Sequence, residues 1–157
     1  MNHPALAQLL DDATALSSGH LGLSVGIDRV ELEAFDYLVE ASGDGFLADV
    51  FTREEIAYCA GRIERLAARF CAKEATLKVL GTGIRGVALS EVEVNHAGNG
   101  QPDVVLRGRA GDRAAVLHIA SLAVSMTHTK VAAEAVVVAL LDTRKDGLDV
   151  ERRTIDG

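Results

Sequence analysis

The sequence has no tryptophan, and two tyrosines and four phenylalanines bring its aromatic content to only 4% of 157 residues. A core made from this chain must be packed from Val, Leu, Ile and Ala, and few rings are left on which single-stranded nucleic acid could stack. Positive charge is also short: 16 Lys and Arg against 23 Asp and Glu give a formal net charge of -7. That balance argues against nonspecific binding to a phosphate backbone, which rewards clustered Lys and Arg. An anionic small molecule must therefore meet a local basic site. The two cysteines, Cys59 and Cys71, have neither CxxC nor zinc-knuckle spacing, so they read as small buried apolar residues in a reducing cytosol. No apolar run approaches the length of a membrane span, and the N-terminus has no basic region followed by an unbroken apolar stretch. These absences predict a cytoplasmic protein with no membrane segment and no nucleic-acid partner.

What is present suits one globular domain: 48% hydrophobic and 25% charged residues in a length too short for two ordinary domains. Residues 1–20 carry Leu6, Leu9, Leu10, Ala13 and Leu16 at helical spacing and end in Ser17, Ser18 and Gly19, which predicts a short N-terminal helix. "LGLSVGIDRV" alternates, with Leu21, Leu23, Val25 and Ile27 on one face and Gly22, Ser24, Gly26 and Asp28 on the other. That is a strand with one bare face, ending in a carboxylate. A helical segment through Leu32, Phe35, Leu38 and Val39 is closed by "SGDG", and "TREE" offers an N-cap Thr52 with Glu55 three residues on. A long helix is expected from about Arg62 to Leu80, stopped by Gly81. "LSEVEV" and "PDVVLRG", joined through the Asn99-Gly100 turn signal, read as a hairpin. One short helix over Ala110 to Leu117 and a second hairpin, "SLAVSM" to "VAAEAVVVALL", follow. The expected organisation is an extension over 1–20, a domain over 21–141 and a polar tail over 142–157.

The long helix poses the chemical question. At about 100° per residue, Ile63, Leu66, Phe70, Leu77 and Leu80 share a side, and Lys73 and Glu74 fall inside it, with Lys78 at its edge. The opposite side carries Ala68, Ala72, Ala75 and Val79, so the helix is apolar almost all round and should be largely buried. An intrahelical Glu74–Lys78 pair is one explanation of the charges, worth a few tenths of a kcal/mol when exposed. Burial favours another: unmatched ions in low dielectric carry a penalty of several kcal/mol, which points to a metal, a ligand or a cleft. The glycines opposite the apolar face of the first strand let a helix pack closely. They leave Asp28 unexplained. If the long helix packs there, Asp28 and Glu74 converge as two carboxylates for a hard cation that shares a substrate phosphate. Lys73 would then neutralise charge at the same cleft. "GTGIRG" follows the helix rather than opening one, so its glycines read as helix stops, not as a phosphate cradle. "SMTHT" crowds Ser125, Thr127 and Thr129 around His128 between two strands, a polar group suited to anion contact. Glu134 is read as an outward residue with no role.

Assembled in order, "VGIDRVELEAF", "FLADVFTREEIAYC", "LAARFCAKEATLKVLGTGI", "EVEVNHAGNGQPDVVLRG" and "LAVSMTHTKVAAEAVVVAL" resemble the holo-acyl-carrier-protein synthase family of phosphopantetheinyl transferases over about residues 22–141. The resemblance implies an α+β fold, an antiparallel sheet packed against a long central helix, in a homotrimer with active sites between subunits. It implies transfer of the 4'-phosphopantetheine arm of coenzyme A to a serine of an acyl-carrier protein, releasing 3',5'-adenosine bisphosphate. By position, Asp28 and Glu74 would be Mg2+ ligands and Lys78 would contact a coenzyme A phosphate. His128, Thr129 and the Gly81 to Gly83 turn would bind the nucleotide end. A water held by metal or carboxylate is the expected base. The chain departs from the family at Ala34, where an arginine expected to grip the acidic carrier is missing, and Glu33, Asp36 and Glu40 surround it. This departure motivates an alternative, a module that binds coenzyme A or a carrier without turnover.

Overall fold

The computed structural model describes residues 21–83, 86–96 and 100–142. The helix expected over 1–20 and the tail beyond Asp142 lie outside the described residues. Among the described residues eleven elements follow one another: β1 (Leu21–Glu31), α1 (Leu32–Ser42), α2 (Asp44–Val50), α3 (Arg53–Cys59), α4 (Ile63–Leu80), a 3-10 turn (Leu89–Glu91), β2 (Val92–His96), β3 (Pro102–Leu106), α5 (Gly108–Val116), β4 (Ile119–His128) and β5 (Ala132–Asp142). The fold is α+β, with antiparallel pairing throughout: β1, β5 and β4 form one sheet in that order, and β2 pairs with β3 in a second.

The helix α4 packs against β1 and β5 and is buried on nearly every side, from Leu66 to Leu80, as its all-round apolar pattern predicts. Its crossing over β1 is fixed by one residue. A Cβ at Gly26 would stand 1.9 Å from the Ala75 carbonyl oxygen, so only glycine allows the helix backbone to lie this close to the strand. The bare face of β1 is thus the inward face, and Gly26 is buried. The apolar face points out, leaving Leu23, Val25 and Ile27 at 69%, 58% and 61% exposure.

Local signals set the helix boundaries. Thr52 and Glu55 form a reciprocal capping box at the start of α3, with Thr52 Oγ1 accepting from Glu55 N at 3.2 Å and Glu55 Oε2 accepting from Thr52 N at 2.9 Å. Gly81 ends α4 at φ +66°, donating its N–H to Lys78 O while Thr82 N donates to Leu77 O, the paired bonds of a Schellman stop. Two expectations need correction. β1 does not end at Asp28 but continues to Glu31, with Asp28 paired opposite Ala135 inside the sheet. "SGDG" closes α1 through Gly43, but Asp44 immediately starts α2. Phe46 of α2 joins Phe35 and Phe70 in a cluster with ring centroids 5.2–6.4 Å apart, and this packing holds a helix too short to be stable by itself.

Candidate active site

Lys73 and Glu74 go separate ways. The Lys73 ammonium, 0% exposed, donates to Glu55 Oε2 at 2.8 Å, to Leu89 O at 3.2 Å and to Val92 O. Those three bonds use all its donors. Glu55 also accepts from Val94 N at 2.9 Å, so the pair ties α3, α4 and β2 together in the core. The expectation that Lys73 neutralises charge at the Asp28 cleft is therefore wrong: its charge is matched on the far side of the helix.

Glu74 faces the other way, half-buried, beside Asp28 and Lys78. Burial, first, and then the Asp28 charge push the Glu74 carboxyl above the usual range, with Lys78 opposing. Lys78 Nζ lies 2.8 Å from Asp28 Oδ1 and 2.6 Å from Ile27 O, so the lysine bridges α4 to β1 instead of pairing along the helix with Glu74. Cys71, one turn before, is held off this chemistry. Its thiol donates to Ala133 O at 3.4 Å, and burial, then Asp28, push its pKa up to about 12. The Gly26 approach is what brings Asp28, Glu74 and Lys78 to one point, two carboxylates against one ammonium.

That donor set fits a hard divalent cation. Carboxylate oxygens are the ligands such an ion takes, and the Glu74 carboxyl, raised first by burial and then by the Asp28 charge, is one that a bound cation would favour in its ionised form. No cluster of three or more His, Cys, Asp or Glu side chains able to hold a metal occurs among the described residues. The remaining coordination would therefore fall to water and substrate phosphate, the manner in which Mg2+ is commonly held.

Toward the N-terminal end of α4 lies a recess of about 150 Å³ lined by Tyr58, Arg65, Arg69, His96, Met126 and His128. His128, at the end of β4, is exposed and brings an imidazole to this wall. Arg69 is 3% exposed, yet none of the ion pairs among the described residues involves it, and its Nε has no hydrogen-bond partner there. The sequence pattern assigns no role to Arg69, Tyr58 or His96. A signal for Arg69 existed, since it is one more charge on a helix apolar almost all round; the Tyr58–His96 contact, across 38 positions, had none.

The other expected residues have visible local duties. Thr129 Oγ1 accepts from Val131 N and Ala132 N, and Thr129 N donates to Ala132 O, closing the β4–β5 turn. Gly81 and Gly83 both have left-handed φ, +66° and +58°, in the turn that ends α4. Glu134 faces out of the sheet, 3.3 Å from Arg29. Ala34 sits exposed on α1 between Glu33 and Asp36, and α1 contains no basic residue.

Residues 24–137 match the family model of the 4'-phosphopantetheinyl transferase superfamily. The chain belongs to that superfamily. This transferase chain is 40% identical over 120 residues to the holo-[acyl-carrier-protein] synthase of Koribacter versatilis, covering 74% of the chain and 96% of that protein. Among solved structures it is similar to the holo-[acyl-carrier-protein] synthase of Neisseria meningitidis, with a TM-score of 0.68 and 31% identity over 73% of this chain and 95% of that one. It also resembles the Helicobacter pylori synthase in complex with coenzyme A, with a TM-score of 0.67 and 26% identity over 74% and 99%. The superfamily match spans every element from Ser24 in β1 to Val137 in β5, and so includes both the carboxylate pair and the cationic recess.

Proposed function

We propose that the protein transfers the 4'-phosphopantetheine arm of coenzyme A to a serine hydroxyl of an apo acyl-carrier protein and releases 3',5'-adenosine bisphosphate. The observation that carries this reading is the convergence of Asp28, Glu74 and Lys78 at the Gly26 crossing, in a chain of the phosphopantetheinyl transferase superfamily. In the reaction a serine oxygen forms a bond to the phosphorus nearest the pantetheine. The bond from that phosphorus to the bridging oxygen breaks, and the adenosine bisphosphate leaves with the oxygen. The serine proton passes to a water held at the carboxylates.

Catalysis of this step is positioning plus electrostatic stabilisation of charge on phosphoryl oxygens. Lys78 is built for it. Two of its three N–H donors are engaged by Asp28 and Ile27 O, which aims the ammonium and leaves the third donor for a phosphate oxygen. Asp28 and Glu74 are the residues that hold Mg2+, which when bound neutralises charge on the pyrophosphate. Arg65, Arg69 and His128 receive the phosphates of the nucleotide end, with Thr129 shaping the turn beside His128 and the Gly81–Gly83 turn bounding the site. A buried guanidinium with no carboxylate partner among the described residues is a suitable host for a phosphate.

The working unit is a homotrimer with active sites between subunits. Support comes from the outward apolar face of β1, where Leu23, Val25 and Ile27 stand exposed side by side on one strand face, a patch that a folded chain normally covers. The protein works in the cytoplasm, which suits two free, buried thiols. No helix among the described residues is long and apolar enough to cross a membrane.

The test is incubation with coenzyme A, Mg2+ and apo carriers of the fatty-acid, polyketide and synthase-embedded kinds. The reading expects one or more carriers to gain the mass of the arm. Tight coenzyme A binding with no gain on any carrier would replace it by the non-turnover module that the acidic surroundings of Ala34 raise.

A further inference from the structure

His96 ends β2 inside the cationic recess, between a tyrosine and an arginine. Its ring stacks on Tyr58 with centroids 4.3 Å apart and planes 23° from parallel. Tyr58 Oη lies 3.1 Å from Nε2, and an Arg69 terminal nitrogen lies 3.1 Å from Nδ1. A guanidinium only donates. Nδ1 must then be the acceptor, Nε2 carries the ring proton and donates it to Tyr58 Oη, and the imidazole is neutral. The same Tyr58 ring lies under the Arg69 guanidinium, 4.4 Å from its centroid, and under Arg65 at 5.4 Å. Arg69 also donates to Arg65 O at 3.4 Å. Tyr58 and His96 thus fix both the plane and one edge of the guanidinium that faces the recess.

We propose that His96 is a positioning residue: as a neutral acceptor, braced by Tyr58, it holds Arg69 in the orientation that receives the nucleotide end of coenzyme A. The proposal rests on the transferase reading above. It adds a role for two side chains that touch neither the carboxylate pair nor the reacting phosphorus. The groups facing His96 support a neutral ring. Arg65 and Arg69 come from α4, His128 from β4, and Glu54, Glu55 and Tyr58 from α3. The one buried carboxylate among them, Glu55, is committed to Lys73. Burial, then Arg69, then Arg65 lower the His96 pKa, keeping Nδ1 available as an acceptor near neutral pH. Arg69 is long and, without Nδ1, would keep the weak bond to Arg65 O, the ring below it and the neutral Cys59 thiol beside it. Donor binding would then have to pay for ordering it.

The experiment measures KM for coenzyme A, KM for the carrier and kcat in the wild type, His96→Leu, His96→Asn and Tyr58→Phe. Binding of 3',5'-adenosine bisphosphate is measured by calorimetry in parallel. His96→Leu removes the acceptor, and its KM for coenzyme A and its dissociation constant for the bisphosphate should rise about tenfold, the scale of one hydrogen bond to a charged group. Its kcat and its KM for the carrier should stay within about twofold of wild type. His96→Asn returns an acceptor near the Nδ1 position and should recover most of the loss. Tyr58→Phe, a change at an exposed side chain that keeps the ring, should give a smaller rise of the same kind. Wild-type KM in His96→Leu, loss in kcat alone, or no recovery in His96→Asn would overturn the positioning role while leaving the transferase reading intact. A wild type that neither transfers the arm nor binds the bisphosphate would overturn both.

Discussion

Lys73 and Glu74 are adjacent on one helix and serve opposite sides of it: the Lys73 ammonium is sealed in the core 2.8 Å from Glu55, and the Glu74 carboxyl stands half-exposed beside Asp28. One residue turns the helix by about 100°, enough to move a side chain from the α3–β2 contact to the β1 contact. The first of these two charges belongs to stability and the second to chemistry.

Replacing Lys73 with Met should therefore destabilise the fold by about 3–5 kcal/mol, because it leaves Glu55 buried with no countercharge. The change should be read as a lower denaturant midpoint with an unaltered slope. Adding Glu55→Gln should recover part of the loss, since a neutral amide can still accept from Thr52 N or Val94 N. A single Lys73→Met variant as stable as wild type would contradict the structural role.

At Gly26 the smallest possible change should be severe. The added Cβ of Gly26→Ala meets backbone, not a side chain that can swing away, so α4 must lift from β1. Overpacking of this kind costs about 1–3 kcal/mol. Activity should fall further than that loss explains, because the same displacement separates Asp28 from Glu74 and Lys78. Turnover measured well below the unfolding temperature separates the two effects.

Val25→Lys should break assembly while sparing the fold. Its side chain is on the outward face of β1, where a charge is harmless to a monomer and costly in a dry interface. Light scattering coupled to size exclusion should give three chains per particle for the wild type and fewer for the variant. A wild-type monomer with full activity would contradict the trimer.

Stability on the acid side should carry the mark of His96. Its folded-state pKa lies below the ordinary 6.5, so as pH falls through 6.5 the unfolded chain takes up the proton first and unfolding is favoured. Above 6.5 the ring is neutral in both states and contributes no slope. Between pH 7.5 and 5 the wild type should lose more stability than His96→Asn in paired denaturant titrations. Equal losses would mean that the imidazole is not held neutral.

Much of this architecture was legible from local signals. Thr52 and Glu55 announced a capping box and Gly81 a helix stop, because each depends on backbone chemistry within a few residues; the β2–β3 hairpin forms as expected, while its Asn99-Gly100 turn lies partly outside the described residues. The close approach at Gly26 was also readable, since bare positions on a strand admit a helix. What escaped depends on packing across the chain. The helix α2 has few turns and forms because Phe46 meets Phe35 and Phe70. The opposite fates of Lys73 and Glu74 were hidden by an all-round apolar helix, on which periodicity names no single inward face. The Tyr58–His96–Arg69 contact joins three separate elements and has no period at all.

The central claim is that Asp28 and Glu74 hold the Mg2+ of a phosphopantetheinyl transfer. Its most direct test is the mass gained by an apo carrier incubated with coenzyme A and Mg2+, using wild type, Asp28→Asn and Glu74→Gln, each checked for an intact fold. The account predicts arm transfer by the wild type, abolished by a chelator and restored by Mg2+, and a drop of about a hundredfold or more in either folded variant. Wild-type transfer rates in both variants would contradict it.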